Sequence, residues 1–206
     1  MAQLFVDLNG PEMGYQKLIQ CGSRAGHILK ERPGLYRAIA FPKPYVVEVR
    51  EATQKADMPP NLIYAIMRRE SGYLKDARSW AQARGLMQMM KKTADEQAKK
   101  LGIKLESEED LHKPELNLLL GATLIRDLLG KFNNLAIALS AYNAGPGAAQ
   151  TWIKKNDQAP VDAYLETISF DETNKYLKYV LEGLFNYSLL EGNKSLSLLD
   201  FYVAKK

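Results

Sequence analysis

One acidic residue, Glu70, occupies a position that the local sequence pattern otherwise gives to apolar side chains. At about 3.6 residues per turn, Ile63, Ile66, Met67 and Glu70 fall on one face of a helix predicted over residues 60–71. Desolvation against an apolar wall disfavours the charged carboxylate, and the negative end of the helix dipole has the same effect. A carboxyl group that stays protonated near neutral pH can act as a general acid towards an alcohol leaving group. The alternative is a frayed helix end beside two arginines, and periodicity alone does not decide between them.

The elements that must position Glu70 are predicted to be helices, because no alternation of valine and isoleucine indicates a central sheet. Pro60 and Gly72 bracket the helix that carries Glu70, since proline favours the first helical turn and glycine the position after the last. The other predicted helices cover residues 12–31 (interrupted by Gly22 and Gly26), 45–55, 93–101, 132–143, 148–155 and 171–191, and a further one begins at Pro114.

The helix that begins at Pro114 has the strongest apolar pattern and is the best candidate for a central buried helix. Its predicted buried face consists of Leu116, Leu119, Leu120 and Leu124. Two later helices have faces formed by Phe132, Leu135, Ala136 and Leu139, and by Tyr176, Leu177, Val180, Leu181 and Leu184. Pro42-Lys43-Pro44 is predicted as a joint, because paired prolines hold an extended backbone. The acidic residues 106–110 are predicted to form a solvated connector.

Four short motifs follow one another along the chain: Glu70-Ser71, Gly85-Leu86-Met87-Gln88, Ala141-Tyr142-Asn143-Ala144-Gly145 and Glu172-Thr173-Asn174-Lys175-Tyr176. Each motif is weak alone, but their order and intervals make the set specific. The set resembles the soluble lytic transglycosylases of glycoside hydrolase family 23, which share a goose-type lysozyme fold. The likeness covers roughly residues 42–190, and Pro42-Lys43-Pro44-Tyr45 is similar to the start of the domain in that family.

The resemblance implies an all-α fold: a lysozyme-like helical domain with a substrate groove over residues 42–192. A short helical segment, residues 1–41, precedes this domain, and a tail, residues 193–206, follows it. Two positions depart from the family pattern. Lys91 stands where proline often begins a helix, and Gly72 stands where alanine often follows the Glu-Ser pair. Neither departure affects the predicted catalytic position.

The resemblance also implies roles for individual residues. Glu70 is the catalytic acid, which later acts as the base. The implied substrate contacts are Ser79 near the sugar, Met87, Gln88 and Met90 along the groove, Tyr142 and Asn143 beside the carboxylate, and Glu172 and Tyr176 further along, where the glycan or its peptide stem passes. Tyr142 is expected to orient Glu70 or the sugar's acetamide by a hydrogen bond, and Gln88 could do the same for the sugar.

Most glycosidases use two carboxylates, and this sequence has no second acidic residue placed on an apolar stripe like Glu70. Asp76 and Asp95 stand in polar surroundings, and Asp127 is explained by a charged helix face. Substrate-assisted enzymes replace the second carboxylate with the substrate's N-acetyl group. The resemblance implies this route for N-acetylmuramic acid: cleavage of the MurNAc-β-1,4-GlcNAc bond without water, to give 1,6-anhydro-N-acetylmuramic acid ends.

Several of these residues also have structural explanations. Tyr142 and the methionines suit a core, Asn143 can end a helix, and Glu172 completes a possible capping box with Ser169. Two rival functions remain: a hydrolytic goose-type muramidase, and a non-catalytic glycan-binding module of the same fold. The presence of Glu70 argues against the second, because loss of the acid is the simplest route to such a module.

Composition limits the kinds of molecule that this chain is expected to bind. The chain of 206 residues has a formal charge of +4, which suits an anionic polymer, but no basic-aromatic motif predicts nucleic-acid binding. Cys21, His27 and His112 lack the spacing of a zinc site, so neither metal nor cofactor is expected. No apolar run predicts stable membrane insertion. The expected partner is the glycan strand of peptidoglycan, in the periplasm or cell envelope. Because Met1–Gly10 does not resemble a signal peptide, we expect the export signal or a larger parent to lie outside this chain.

Overall fold

The structure is a computed structural model, and it describes residues 33–155 and 166–192 together with Met13, Tyr15, Gln16 and Tyr164. Within these residues the fold is helical, and the only β-type pairings are isolated bridges in one loop. The α-helices are α1 (Pro33–Ala40), α2 (Val46–Ala56), α3 (Pro60–Ser71), α4 (Lys91–Lys100), α5 (Pro114–Phe132), α6 (Leu135–Ala144), α7 (Pro146–Lys155) and α8 (Asp171–Leu190). The all-α prediction is therefore confirmed. None of the described helices is long and apolar enough to cross a membrane.

The helix α3 begins and ends at the predicted residues. Proline stands at its first position, and Gly72 ends it in the left-handed conformation, with φ of 56°. All six residues from Leu62 to Met67 are buried, so α3 is enclosed on every side over that stretch. The helix that begins at Pro114, which the sequence favoured as a central buried helix, also has eight buried residues.

The helices α3 and α8 pack against each other in antiparallel directions. Near one end the rings of Tyr64 and Tyr187 lie 5.5 Å apart, and near the other the Arg69 guanidinium lies 5.1 Å from the centre of the Tyr179 ring. Between them, Gly183 lets α8 approach Ala65 of α3 closely. The C-terminal end of α3 is thus set beside the N-terminal half of α8.

A second group of helices closes around α5, which packs against α2, α4 and α6. On α5 the structure encloses Leu118, Leu120 and Ile125 completely. Of the four leucines predicted as its buried face, only Leu120 is fully buried, and the other three are half-buried. The prediction identified the helix but placed its most buried face incorrectly, because α5 has neighbours on several sides.

One predicted helix boundary is wrong, and one predicted connector contains a short helix. The helix predicted over residues 132–143 is interrupted, because Asn133 takes the left-handed conformation that ends α5 and Asn134 caps the start of α6. The acidic connector is also more ordered than predicted. It contains a short 3₁₀ helix, Glu108–His112, in which Ser107 and Asp110 form a capping box.

The Pro42-Lys43-Pro44 joint belongs to no helix or strand, and it is attached to the end of α8. The Pro42 carbonyl accepts a hydrogen bond from the Tyr187 hydroxyl at 2.8 Å, and Lys43 pairs with Glu191 at 2.6 Å. The helix predicted over residues 12–31 and the tail from Ser195 onward lie outside the described residues, apart from Met13, Tyr15 and Gln16.

Candidate active site

Glu70 lies in the last turn of α3, where the enclosed part of the helix meets the surface. Desolvation is the largest of the effects that raise the pKa of its carboxyl group to about 7, and the nearby Glu172 carboxylate contributes to the same rise. Interaction with the Tyr176 hydroxyl and the charge of Arg69 lower the pKa but only in part. A large share of Glu70 molecules is therefore protonated near neutral pH, as the general-acid hypothesis requires.

Two tyrosine hydroxyls stand close to this carboxyl group. Burial raises the pKa of both Tyr176 and Tyr142 well above the usual value, and the charge of Glu70 raises each further. Both therefore remain phenols that can donate a hydrogen bond. The Tyr176 hydroxyl is buried, has no hydrogen-bond partner among the other described residues, and lies near enough to Glu70 for each group to shift the pKa of the other.

Tyr142 does not make the predicted hydrogen bond to Glu70. Its hydroxyl donates to the Met87 carbonyl at 2.8 Å, with a longer contact of 3.7 Å to the Met89 sulfur. Tyr142 thus ties the end of α6 to the loop that follows α3. The hydroxyl placed to steady the Glu70 carboxyl is that of Tyr176, which the sequence had assigned to a more distant part of the groove.

The loop between α3 and α4, residues 72–90, is hydrogen-bonded to the last residue of α3, next to Glu70. The Ser71 hydroxyl donates to the Leu86 carbonyl at 2.9 Å, which joins the residue after the catalytic candidate to the Gly-Leu-Met-Gln motif. Arg84 and Met89 exchange backbone hydrogen bonds of 3.1 and 2.9 Å across the motif. The Glu-Ser and Gly-Leu-Met-Gln motifs are therefore hydrogen-bonded to each other.

A buried asparagine on α5 fixes the centre of this loop. Asn117 accepts a hydrogen bond from the Met87 amide at 2.7 Å and donates to the carbonyls of Arg84 and Leu111 at 2.9 and 2.8 Å. Gly85 is required here, because an added Cβ would come within 2.1 Å of the Leu111 carbonyl oxygen. The Asn117 side chain thus makes three hydrogen bonds, and each of its partners is a backbone group.

Gln88 also holds this loop in place through hydrogen bonds. Its backbone is left-handed, with φ of 46°, and its side-chain amide donates to the carbonyls of Ala77 and Gly85 at 3.2 and 3.0 Å. Ser79 accepts a hydrogen bond from the Ala83 amide at 3.0 Å, which closes the tip of the loop. Both side chains are partly exposed, so a substrate contact by either remains a prediction.

The two predicted groove methionines differ. Met87 is fully buried and its side chain packs where a Cβ on Gly121 would lie, so it belongs to the core and does not line a groove. Met90 is 45 % exposed and precedes the first residue of α4. The helix begins at Lys91, so the missing proline does not prevent it from starting there.

The third and fourth motifs meet at the ends of α6 and α8. The Thr173 hydroxyl donates to the Asn143 side-chain oxygen at 2.7 Å, which fixes the first turn of α8. Glu172 is exposed beside it and does not form the predicted capping box, since Ser169 instead accepts a hydrogen bond from the Trp152 indole at 3.1 Å. Glu172 and Tyr176 lie one helical turn apart, and both act on the Glu70 pKa.

The other acidic candidates are engaged with cations. Asp76 pairs with Lys75, Asp95 with Lys91, and Asp127 with both Lys100 and Arg126. None of them influences the Glu70 pKa. Among the described residues, the second carboxylate close to Glu70 is Glu172, and no group of three His, Cys, Asp or Glu side chains could hold a metal ion.

Sequence reasoning missed three residues that build the site: Asn117, Arg84 and Thr173. Arg84 is almost fully buried and forms ion pairs with Glu108 and Glu109 of the 3₁₀ helix, so the acidic connector supports the loop. An asparagine in a leucine-rich helix was a readable signal for Asn117, because a buried amide needs hydrogen-bond partners. No local pattern indicated the partners of Arg84 or Thr173.

Comparison with known proteins identifies the family of the chain. Residues 48–165 match the family model described as the transglycosylase SLT domain. The chain is 32 % identical over 162 residues to a putative soluble lytic murein transglycosylase of Haemophilus influenzae, and 34 % identical over 158 residues to the soluble lytic murein transglycosylase of Escherichia coli K12. These matches cover 78 % and 75 % of the chain but only 27 % and 24 % of the relatives, so the chain spans about a quarter of their length.

Solved structures give the same result. An inactive Glu-to-Gln mutant of the lytic transglycosylase Slt from Pseudomonas aeruginosa superimposes with a TM-score of 0.80 at 32 % identity. The 70 kDa soluble lytic transglycosylase of Escherichia coli superimposes with a TM-score of 0.83 at 29 % identity. Each comparison covers 94 % of this chain and 30 % of the other. A complex of the 70 kDa enzyme with bulgecin A matches equally well, with a TM-score of 0.83.

Proposed function

Because the chain belongs to the transglycosylase SLT domain family, we propose that it is a lytic transglycosylase that cleaves peptidoglycan glycan strands with Glu70 as acid and then base. The observation that carries the proposal is the desolvated Glu70 carboxyl, whose pKa of about 7 suits both roles at neutral pH. The Pseudomonas relative is inactive with a Glu-to-Gln substitution, so a glutamate is essential to that protein, and this supports an acid–base role for a glutamate here.

In the first step, the Glu70 carboxyl gives its proton to the glycosidic oxygen as the bond from that oxygen to C1 of N-acetylmuramic acid breaks. The acetamide oxygen of the same sugar stabilises the positive charge that develops at C1. The neutral Tyr176 phenol then donates a hydrogen bond to the new carboxylate, which limits the cost of an anion at a desolvated position.

In the second step, the Glu70 carboxylate takes the proton from the C6 hydroxyl of the same sugar, and the C6 oxygen bonds to C1. The products are a 1,6-anhydro-N-acetylmuramic acid end and a free hydroxyl on the departing sugar. Glu70 regains its proton, and no water is consumed. Because the attacking hydroxyl belongs to the substrate, its effective concentration exceeds that of a water molecule in the groove.

The runner-up is a hydrolytic muramidase, and one observation favours it. The Glu172 carboxylate is exposed and lies near enough to Glu70 to influence its pKa, so it could serve as a base for water. Glu172 is not desolvated by an apolar wall as Glu70 is, and the anhydro route needs no second carboxylate. We therefore place the lyase route first, with peptidoglycan as partner and the periplasm or cell envelope as location.

The test is replacement of the acid. Glu70→Gln keeps the size of the side chain but removes the proton, so we expect cleavage of purified peptidoglycan to fall by about a thousandfold or more. Binding of the glycan, followed by cosedimentation, is expected to change little. Glu96→Gln, on the exposed part of α4, is the matched control and should cleave normally. If the cleavage rate of Glu70→Gln lies within about threefold of the control rate, another residue must be the general acid.

A further inference from the structure

Trp80 is the most exposed of the large apolar side chains that the structure describes, with 96 % of its surface accessible. The chain has two tryptophans, and the other, Trp152, is buried and hydrogen-bonded to Ser169. Single apolar residues on a surface are common and need no explanation by themselves. Trp80 differs because it stands on a fixed backbone in a defined relation to the candidate catalytic residue.

The turn that carries Trp80 is closed by several hydrogen bonds. The backbones of Ser79 and Ala83 are joined at 3.0 Å, the Gln82 amide donates to the Ser79 carbonyl at 3.0 Å, and the Arg78 guanidinium binds the Gln82 side chain. Gln82 takes the left-handed conformation, with φ of 68°. The turn therefore presents the indole at its tip without needing to fold around a ligand, which keeps the entropic cost of binding low.

The base of the turn is attached to the active-site loop. The Ala77 carbonyl accepts hydrogen bonds from the Gly85 amide at 2.9 Å and from the Gln88 side chain at 3.2 Å. Trp80 lies three residues beyond Ala77, which is at most roughly 10 Å of extended chain. The turn that carries Trp80 is therefore joined to the loop that packs beside Glu70, so a polymer bound along this loop can reach the indole.

We propose that Trp80 is a stacking platform for one sugar ring of the glycan strand, at a subsite outside the pair of sugars that flank the cleaved bond. This inference rests on the proposed function for its choice of ligand. A pyranose ring has an apolar face of C–H groups that can lie on an indole, and a rim of hydroxyls that polar neighbours can bind. Arg78 and Gln82 supply such neighbours on either side of Trp80.

The surroundings of Trp80 favour a sugar over a protein partner. Protein hot spots place an aromatic anchor in a well-packed patch whose rim excludes water. Here the residues on both sides, from Arg78 to Gln82, are exposed or half-exposed and mostly polar or small. A single ring in a polar setting offers enough area for one sugar, but not the contiguous apolar area of a protein interface.

Intrinsic fluorescence tests this subsite directly, because quenching by iodide reports almost entirely on Trp80 while Trp152 is buried. The full chain with Glu70→Gln is titrated with glycan strands from which the stem peptides have been removed. We expect these strands to protect Trp80 from iodide and to shift its emission to shorter wavelength. A second titration uses strands that retain their peptides.

Steady-state kinetics of the enzyme with Glu70 intact test the same subsite independently of fluorescence. We expect Trp80→Ala to raise KM for long strands about fivefold with kcat unchanged, as loss of one aromatic contact implies. Trp80→Phe should recover part of the affinity. Leu74→Ala, an exposed apolar residue of the same loop, is the matched control and should leave KM unchanged.

Protection by peptide-free strands together with the KM effect would support the platform. Protection only by peptide-bearing strands would overturn it and assign Trp80 to the stem peptide. Normal cleavage with no protection by either strand would also overturn it while leaving the proposed function intact. Protection without any cleavage by the unmodified enzyme would support the platform and refute the proposed function.

Discussion

Gly183 of α8 lies directly against Ala65 of α3, and this contact determines how closely the two helices that carry Tyr176 and Glu70 approach. A Cβ built on Gly183 would lie 3.2 Å from the Ala65 Cβ and 3.4 Å from its Cα. Such a distance is tighter than ordinary side-chain packing, so only glycine fits without displacing a neighbour. The pairing of the acid with its tyrosine therefore depends on a residue that has no side chain.

We expect Gly183→Leu to separate α3 from α8 and to lower the free energy of unfolding by about 1–3 kcal/mol, as overpacked cores do. Cleavage should fall further than the unfolded fraction explains, because Tyr176 moves away from Glu70. Urea unfolding and turnover are the measurements. Gly130→Ala on α5 is the control, since nothing lies near its Cβ position, and it should be neutral or stabilising by about 0.5–1 kcal/mol. Normal activity in Gly183→Leu would refute this role for the contact.

Local sequence signals predicted the element that carries Glu70 but not the structure that surrounds it. Pro60 and Gly72 marked the bounds of α3 correctly because proline and glycine restrict the backbone itself. The apolar stripe of α3 also placed Glu70 correctly at the edge of the core. Side-chain partners distant in sequence could not be read in this way, since no periodicity reports them.

Met87 and Tyr142 illustrate that limit. The resemblance placed Met87 along the groove, but the approach of Gly121 from α5 encloses its side chain in the core. Tyr142 lies near enough to Glu70 for its pKa to respond to that charge, yet its hydroxyl donates its hydrogen bond to the Met87 carbonyl. In both positions the residue type was identified, and a contact from another helix decided its role.

The pH dependence of cleavage should follow the Glu70 proton. Because only the protonated carboxyl can act as the acid, kcat/KM should fall as the pH rises through about 7, the pKa that desolvation produces. Glu172→Gln removes a negative charge that raises this pKa, so the alkaline fall should move to lower pH. Glu96→Gln should leave it in place. An unchanged alkaline limb in Glu172→Gln would show that the limb does not belong to Glu70.

Glu70 should also reduce stability at high pH. Its folded-state pKa of about 7 lies above the ordinary value of 4.5, so the folded protein keeps this proton longer than the unfolded chain does. The stability associated with the protonated form is complete below pH about 4.5 and is lost as the pH rises through about 7. Glu70→Gln should therefore be more stable than the parent by about 1–3 kcal/mol at pH 8 and equal to it near pH 4. Urea unfolding at the two pH values measures the free energy of unfolding of both proteins. If Glu70→Gln differs from the parent by the same amount at pH 4 and pH 8, the raised pKa of Glu70 is contradicted.

Asn117 should be sensitive to loss of its donor groups. Asn117→Asp keeps the shape but leaves the Arg84 and Leu111 carbonyls without their hydrogen bonds, and we expect a loss of about 2–4 kcal/mol in unfolding free energy. Cleavage should fall as well, because the loop next to Glu70 loosens. Asn134→Asp is the matched control, since its side chain caps α6 through an oxygen that aspartate retains. Equal stability of the two variants would refute the role assigned to Asn117.

The most direct test of the central claim is the origin of the oxygen at the new glycan ends. Purified peptidoglycan is digested in water enriched in heavy oxygen, and the soluble fragments are weighed by mass spectrometry. If the C6 hydroxyl attacks C1 with Glu70 as base, the new muramic ends carry no heavy oxygen, weigh one water less than hydrolysis products, and resist reduction by borohydride. Heavy oxygen in most of the new ends would mean that water is the acceptor. That result would contradict the lyase mechanism and favour a muramidase that uses Glu70 only as the acid.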